Sequence, residues 1–532
     1  MPRAALQNDD ASLYALAAKN AVIHNQWLAQ FVTPGDRSSF LDKPPLGIWL
    51  LAWPMKLFGV SELTVHIPNA IYFALLLFVQ YLMLIRISSK KIAFYSTIIS
   101  ATSLGLVVYS RAPKLDILLP FFVMIAHFSL YTFLKKDDPS YLFLFTLSLV
   151  CAFLVKSGFG LLLPVLTVLF LLIFNANART KILKAVFSRH SLINGLLFFA
   201  IVVGILGLQF IPLQDQWLPY LKAITIQSKY NTSYLGFGFY YSIIGFLLII
   251  LFPWSPLWLS TIKFPKLRKN TPHLSVGYSK LTLSDFCTLW FWSNVLFLLF
   301  FYRQNDLRTF TVFVPPMAIL AGLRLIAINW KPETKRLGFQ GMRKPRRSVA
   351  GFLWSLFFLV IFSIILITVI LNPINPQGFS LKAAILPFAL FTFSLIPLTL
   401  YLWKPNQTKF VITFALVCLS YSVLFYNTKP IADAFNPDVT WPGIIKEQRN
   451  KGVKFYIYRP PDRQLFYSPD LFYVDFMAGP ADRYYWRGNE LIKAVARGNA
   501  LILSDTKSLN KLKLTRLGTL AQDNYSSLVI TQ

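Results

Sequence analysis

Apolar stretches of membrane-spanning length fill this chain from residue 66 onward, and no other feature limits its fold as much. About twelve can be marked, roughly at 66–86, 92–110, 115–134, 141–155, 159–174, 192–212, 239–260, 285–301, 309–327, 350–371, 383–402 and 410–426. A segment in lipid must satisfy its own backbone N–H and C=O groups, so such stretches fold as helices. Hydrophobic residues make up 55% of the chain and charged residues 14%, against about 25% charged in soluble domains. The expected fold class is an all-α polytopic membrane protein. The segments 141–155 and 159–174 are short, and Pro164 is placed to kink the second.

The formal charge of +30 would suit a nucleic-acid binder. In a membrane chain it has a plainer source, the positive-inside bias. One set of alternate loops carries Arg86, Lys90 and Lys91, then Lys135 and Lys136, then Arg179, Lys181, Lys184 and Arg189, and the same loops continue basic through Arg346, Arg347, Lys404 and Lys409. That set outnumbers the other by roughly three to one, which makes it cytoplasmic. Residues 1–65, the remaining loops and the C-terminal end then fall outside. The expected partners are membrane lipids, and no nucleic acid.

Phe40 to Val60, FLDKPPLGIWLLAWPMKLFGV, is the most informative stretch on that outer side. Asp42 and Lys43 stand side by side, and Pro44 and Pro45 fit the start of a helix, where a missing N–H costs nothing. The apolar run Leu46–Phe58 is too short to cross a bilayer, which takes about 20 residues. It reads as a helix on the membrane surface with Trp49 and Trp53 in the interfacial zone. The charge pair before it is placed to meet a phosphate carried on a lipid.

Other ionisable residues gather on the same side. Asn8, Asp9 and Asp10 open the first outer stretch, with Tyr14 one turn later. Ser110 to Asp116, SRAPKLD, sets Arg111, Lys114 and Asp116 where the 115–134 span begins. An ionisable group at membrane depth is costly, which makes Asp116 a functional candidate. Lys156, Lys229, Arg303, Asp306 and Arg308 lie in further outer turns. Displacing a phosphate from a sugar carbon needs a base for the acceptor hydroxyl and positive charge for the leaving phosphate. Asp9, Asp10 or Asp116 can supply the first; Lys43, Lys156 or an arginine can supply the second. Asp10 and Asp116, if close, can hold a divalent cation. No other cofactor is indicated.

The chain has no HExxH, Walker loop or GxSxG. His66 and His127 fall at or within spans and read as packing residues. Cys151, Cys287 and Cys418 form no disulfide framework or zinc spacing. Acidic residues become frequent at about 428–532, where short apolar runs such as Val453–Tyr458 and Ala500–Leu503 look like strands, while Gly443–Asn450 and Asn489–Arg497 look helical. This predicts a small α/β domain outside the membrane, following a membrane domain of residues 1–427.

Six pieces in order resemble the polytopic GT-C glycosyltransferases of the protein O-mannosyltransferase and lipid A aminoarabinose transferase type. They are Asp9–Asn20, Leu41–Glu62, Ser110–Leu119, Lys156–Pro164, Tyr240–Trp254 and Val314–Gly322. The resemblance implies transfer of a sugar from a polyprenyl phosphate to lipid A, a glycan or a protein, on the periplasmic face of a bacterial inner membrane. It implies that Asp10 or Asp9 is the base or acceptor-site acid and Asp116 the second acid. It further implies that Lys43, with Asp42 beside it, grips the carrier phosphate. Lys156, Arg111, Lys229 and Arg308 are the other expected phosphate contacts. Such enzymes carry a span before the acidic motif. MPRAALQNDD has no apolar core, so a first helix missing from this chain is expected, which would make about thirteen spans.

The sequence departs from the family pattern in places. The Arg common after the first acidic pair is Ser12 or Leu13 here, a tyrosine before the later proline pair is replaced by Phe310 nearby, and KGP reads Lys156-Ser157-Gly158. The alternative function is a lipid-linked sugar flippase or transporter. It predicts internal repeats and midplane-broken helices, whereas no repeat is legible and the ionisable groups sit at one face.

Overall fold

The structure, a computed structural model, describes residues 9–32, 37, 40–225, 237–252, 254–265, 281–300, 307–327, 441–458, 482–485, 488–495, 500–505, 517–522 and 526–531. The membrane part is helical. Its helices are α1 (Asp9–Ile23), α2 (Leu46–Phe58), α3 (Glu62–Ile87), α4 (Lys90–Ala101), α5 (Leu104–Tyr109), α6 (Leu118–Lys136) and α7 (Ser140–Phe174). There follow α8 (Ala176–Val186), α9 (Arg189–Leu208), α10 (Trp217–Thr225), α11 (Phe237–Ile250), α12 (Leu283–Phe300) and α13 (Val314–Ala327), the last preceded by a 3-10 helix, Leu307–Phe313. Among the described residues 5 stretches are long and apolar enough to cross a membrane. The expected spans at 350–371, 383–402 and 410–426 and the cysteine at 418 lie outside the described residues.

The central helix is α6, buried along almost its whole length from Leu118 to Leu134. It packs against both halves of α7, which is two helices in one. Lys156 and Ser157 leave helical backbone angles, with φ +47° at Ser157. The chain reverses there, so Gly160 lies against the carbonyl of Ala152, where a Cβ would overlap that oxygen. The two short spans expected at 141–155 and 159–174 therefore exist as a hairpin, and the reversal falls at Lys156, in the outer turn where the sequence put it.

His127 sits at the centre of the bundle, fully buried. Its ring stacks on Trp290 with centroids 4.0 Å apart. Nε2 bonds Thr167 at 2.9 Å, and Thr167 bonds Ser293 at 2.6 Å. Three helices are thereby joined by polar groups in a region where apolar contact alone gives no specificity. The packing role expected for His127 is thus a hydrogen-bonded one.

One expectation is corrected. The stretch 92–110 is not one span but α4 and α5, broken at Thr102 and Ser103. The Thr102 hydroxyl takes the Ile98 carbonyl at 2.6 Å, and the Ser103 hydroxyl takes that of Ser100 at 2.8 Å. Leu104 N–H then turns outward to the carbonyl of Phe252 at 2.9 Å, and Trp254 donates to Thr102 at 2.8 Å. Hydroxyl side chains that compete for helix carbonyls, with a neighbouring segment to satisfy the freed amide, account for the break. The stretch 239–260 breaks likewise, into α11 and a short helix Ser255–Leu259.

Residues 441–531 include a 5-stranded sheet in the order β2-β1-β3-β5-β4. Its strands are β1 (Lys454–Tyr458), β2 (Arg483–Tyr485), β3 (Ala500–Asp505), β4 (Leu517–Gln522) and β5 (Ser526–Thr531), with α14 (Trp441–Asn450) and α15 (Gly488–Val495) beside it. Strand β1 is parallel to β2 and β3, and β5 is antiparallel to β3 and β4. Alternation along β1 sends Phe455 and Ile457 to Ile445 of α14, and Tyr456 and Tyr458 to the face of Leu491 on α15. The strands and helices expected from sequence all appear, within a few residues of their expected ends.

Candidate functional site

Helix α2 is the expected surface helix, with the expected bounds. Ile48, Leu51, Ala52 and Met55 are buried on one side, while Trp53, Leu57 and Phe58 are exposed. Lys56 lies over the rings of Trp27 and Trp53, 5.0 and 5.5 Å from their centroids. The loop that delivers Asp42 and Lys43 to this helix is held at several points. Asn20 donates to the carbonyls of Phe31 and Val32 at 3.0 and 2.9 Å, Gln209 to that of Leu28 at 2.9 Å, and Leu41 N–H to Gln30 at 2.9 Å. Tyr220 donates to the carbonyl of Lys43 itself, at 3.3 Å.

The Lys43 ammonium is buried and bonds the Asp42 carboxylate at 3.0 Å. Burial pushes it below the ordinary lysine value. Asp42 opposes that shift most strongly, Lys156 adds to it, and Asp116 opposes it weakly. Lys43 thus lies within the field of the second pair, Lys156 and Asp116, which bond at 3.2 Å with side chains 9% and 4% exposed. Lys156 reaches this position because α7 reverses beneath it, and Asp116 because a turn at 110–117 separates α5 from α6. Four of the predicted site residues are therefore one cluster.

Asp10, in the first turn of α1, pairs with Arg308 of the 3-10 helix. Both are partly exposed. That 3-10 helix packs on α5 and α6, the two helices that flank the Asp116 turn, while α1 packs on α2. This pair therefore belongs to the same end of the bundle as the cluster. Asp9 is the first residue of α1. Arg111 is half-buried in the 110–117 turn. Lys229, Arg303 and Asp306 lie outside the described residues.

Three expectations change. Asp10 and Asp116 do not share a site for a divalent cation: each carboxylate holds a cation of the chain instead. Among the described residues no group of 3 or more His, Cys, Asp or Glu side chains is placed to bind a metal. The residues present do not fit a metal ion. Arg308, expected on the carrier phosphate, is engaged by Asp10. The α1 segment, expected only as an outer stretch opened by acids, is a buried helix, with Leu13, Tyr14, Leu16 and several alanines in the core. Alanines at that density let α1 approach α2 closely.

Sequence reasoning missed the residues that hold the Asp116 turn. Asn69 of α3 is fully buried and donates from one amide nitrogen to the carbonyls of Ala112 and Lys114. His66, read as packing, donates Nδ1–H to the Arg111 carbonyl at 2.7 Å. Their spacing of three residues on a helix was the available signal, but nothing in the sequence names the turn they meet.

Comparison with known proteins supports the resemblance read from the motifs. The family model described as dolichyl-phosphate-mannose-protein mannosyltransferase matches residues 42–205, which contain Asp42, Lys43, Asp116 and Lys156. An uncharacterized protein of Aquifex aeolicus (strain VF5) is 29% identical over 169 residues, 31% of this chain and 33% of that protein. The match thus spans about a third of that relative's length. The crystal structures of ArnT from Cupriavidus metallidurans, apo and bound to undecaprenyl phosphate, superimpose with a TM-score of 0.72 at 13% identity. They cover 98% of this chain and 93% of ArnT. The chain has the GT-C fold of ArnT.

Proposed function

We propose that this protein is a membrane glycosyltransferase that moves a sugar from a polyprenyl-phosphate donor to lipid A, a glycan or a protein. The reaction is placed on the periplasmic face of a bacterial inner membrane. The observation that carries the reading is the buried Lys43 ammonium at the start of a membrane-surface helix, within the field of the Lys156–Asp116 pair. The family match across residues 42–205 and the fold shared with an undecaprenyl-phosphate-binding protein support it.

In this reading the bond between the sugar anomeric carbon and the phosphate oxygen breaks, and a bond from the acceptor oxygen to that carbon forms. The acceptor proton passes to a carboxylate, for which Asp10 and Asp116 are the candidates. The carrier leaves as a phosphate monoester with one more negative charge than the diester had. Lys43 is placed to meet that charge as it develops, where an ammonium shielded from water acts most strongly. Lys156 fixes the orientation of Asp116.

Purified protein, a polyprenyl-phosphate sugar and a labelled acceptor test the assignment. Lys43→Ala and Asp10→Asn each abolish transfer while the protein stays folded. Full activity in both variants would sink it. Lipid and glycan profiling of a deletion strain identifies the acceptor class.

A further inference from the structure

We infer that Asn69, backed by His66, is a positioning residue for Asp116, acting through the backbone of the 110–117 turn. This deepens the proposed site and rests on that reading. Within the turn Lys114 N–H bonds back to the Ala112 carbonyl at 2.7 Å, but no helix or sheet ladder runs through it. Ala112 and Lys114 are nonetheless buried. A buried carbonyl left without a donor costs about 1–3 kcal/mol.

Asn69 meets two of these carbonyls at once. Its nitrogen carries two hydrogens, and they go to Ala112 and, at 2.8 Å, to Lys114. His66, one helical turn earlier on the same face of α3, holds the carbonyl of Arg111 at 2.7 Å. Three carbonyls of one short turn are thereby pinned to one helix. The turn is gripped from its other side by α2. There Gly47 makes room for Leu115, whose Cδ2 would lie 2.6 Å from a Cβ at position 47. Asp116 is the next residue. With its neighbours held from both sides, its carboxylate has little freedom to leave the Lys156 ammonium 3.2 Å away. Few other side chains fit this task. Leucine fills the same volume without a donor, and an ionised aspartate would set an acceptor against two carbonyls.

The test uses the full-length protein in nanodiscs, with two readouts. In Asn69→Leu, kcat for sugar transfer falls on the order of a hundred-fold while the donor KM changes by less than about three-fold, as displacement of a group acting in the transition state requires. In the same variant Lys156 becomes several-fold more reactive toward an amine-acylating reagent, read by peptide mass spectrometry, because its carboxylate partner is no longer held. Asn69→Gln, which keeps both donors on a longer stem, recovers part of each. If wild-type protein transfers no sugar, the proposed function fails, and the Lys156 labelling still judges the positioning. The inference is overturned if kcat and labelling both stay near wild type, or if activity falls while Lys156 labelling does not change. Should Asn69→Leu fail to fold, His66→Leu, which removes one bond of the three, carries the same labelling test with a smaller expected rise.

Discussion

Exchanging Lys156 for methionine keeps most of the side-chain stem and removes the charge. It leaves the Asp116 carboxylate, 4% exposed, without the ammonium 3.2 Å away. Breaking a buried ion pair from one side costs about 3–5 kcal/mol, roughly a hundred- to few-thousand-fold in the folding equilibrium. Asp116→Leu costs more than Lys156→Met, because the Lys156 ammonium loses its carboxylate while it stays in the field of a second buried ammonium, Lys43. The double variant Lys156→Met/Asp116→Leu recovers most of the loss, since no buried charge of the pair remains. An internal control is at hand. Lys181 and Asp137 are closer, at 2.7 Å, yet their side chains are 26% and 62% exposed. Solvent screening limits such a pair to about 0–1 kcal/mol. Unfolding in mixed micelles by sodium dodecyl sulfate titration or steric trapping gives all four free energies. The reasoning is refuted if Lys156→Met and a Lys181→Met control cost the same, or if the double variant loses the sum of its singles.

The Lys43 cation is lost as pH rises through a value held by burial below that of an ordinary lysine. If the protein acts as proposed, binding of a polyprenyl phosphate therefore weakens on the alkaline side before ordinary lysines titrate. Lys43→Arg abolishes that limb because guanidinium stays charged, and Asp42→Asn moves it to lower pH; equilibrium binding against pH shows whether both hold, and an unmoved limb in either rules Lys43 out as the titrating group. Gly160→Val drives a side chain into the carbonyl of Ala152 at the α7 hairpin. Backbone cannot yield as a side chain does, so yield of folded monomer on gel filtration drops at least as far as for overpacked cores, about 1–3 kcal/mol, whereas a normal yield would mean that the hairpin is not closed there.

The fold was legible where a physical period marks the sequence. Long apolar runs marked the spans, short apolar runs marked β1 and β3, and a double proline before a tryptophan-rich run gave α2 to the residue. What stayed hidden depended on partners far along the chain. Thr102 and Ser103 stand in a run apolar enough to cross, and the break there follows from partners some 150 residues on: the Phe252 carbonyl accepts the freed amide of Leu104, and the Trp254 indole donates to the Thr102 hydroxyl. Asn69 and His66 looked like ordinary span residues for the same reason: the carbonyls they hold belong to a turn more than 40 positions away. The α1 segment misled in another manner. Its opening acids mask an alanine-rich face whose value lies in close approach, which hydropathy does not measure.

The chemistry of the site was legible in residue type and in one pairing, Asp42 with Lys43; the pairings of Asp116 with Lys156 and of Asp10 with Arg308 were not. Charge counting treats each lysine and arginine as available to a phosphate, yet Lys43, Lys156 and Arg308 each hold a carboxylate, on Asp42, Asp116 and Asp10 in turn. The reason is energetic. Two of these cations are buried, with Lys43 and Lys156 side chains 11% and 9% exposed, and a buried charge without a partner costs several kcal/mol. A site that must stay folded before its substrate arrives therefore balances its charges internally. The same balance explains why Asp10 and Asp116 do not converge on a metal ion: each carboxylate already neutralises a cation. The acids and bases that sequence assigned to separate tasks, proton transfer and phosphate binding, are thus each other's counterions, and removing either member of a pair disturbs both tasks.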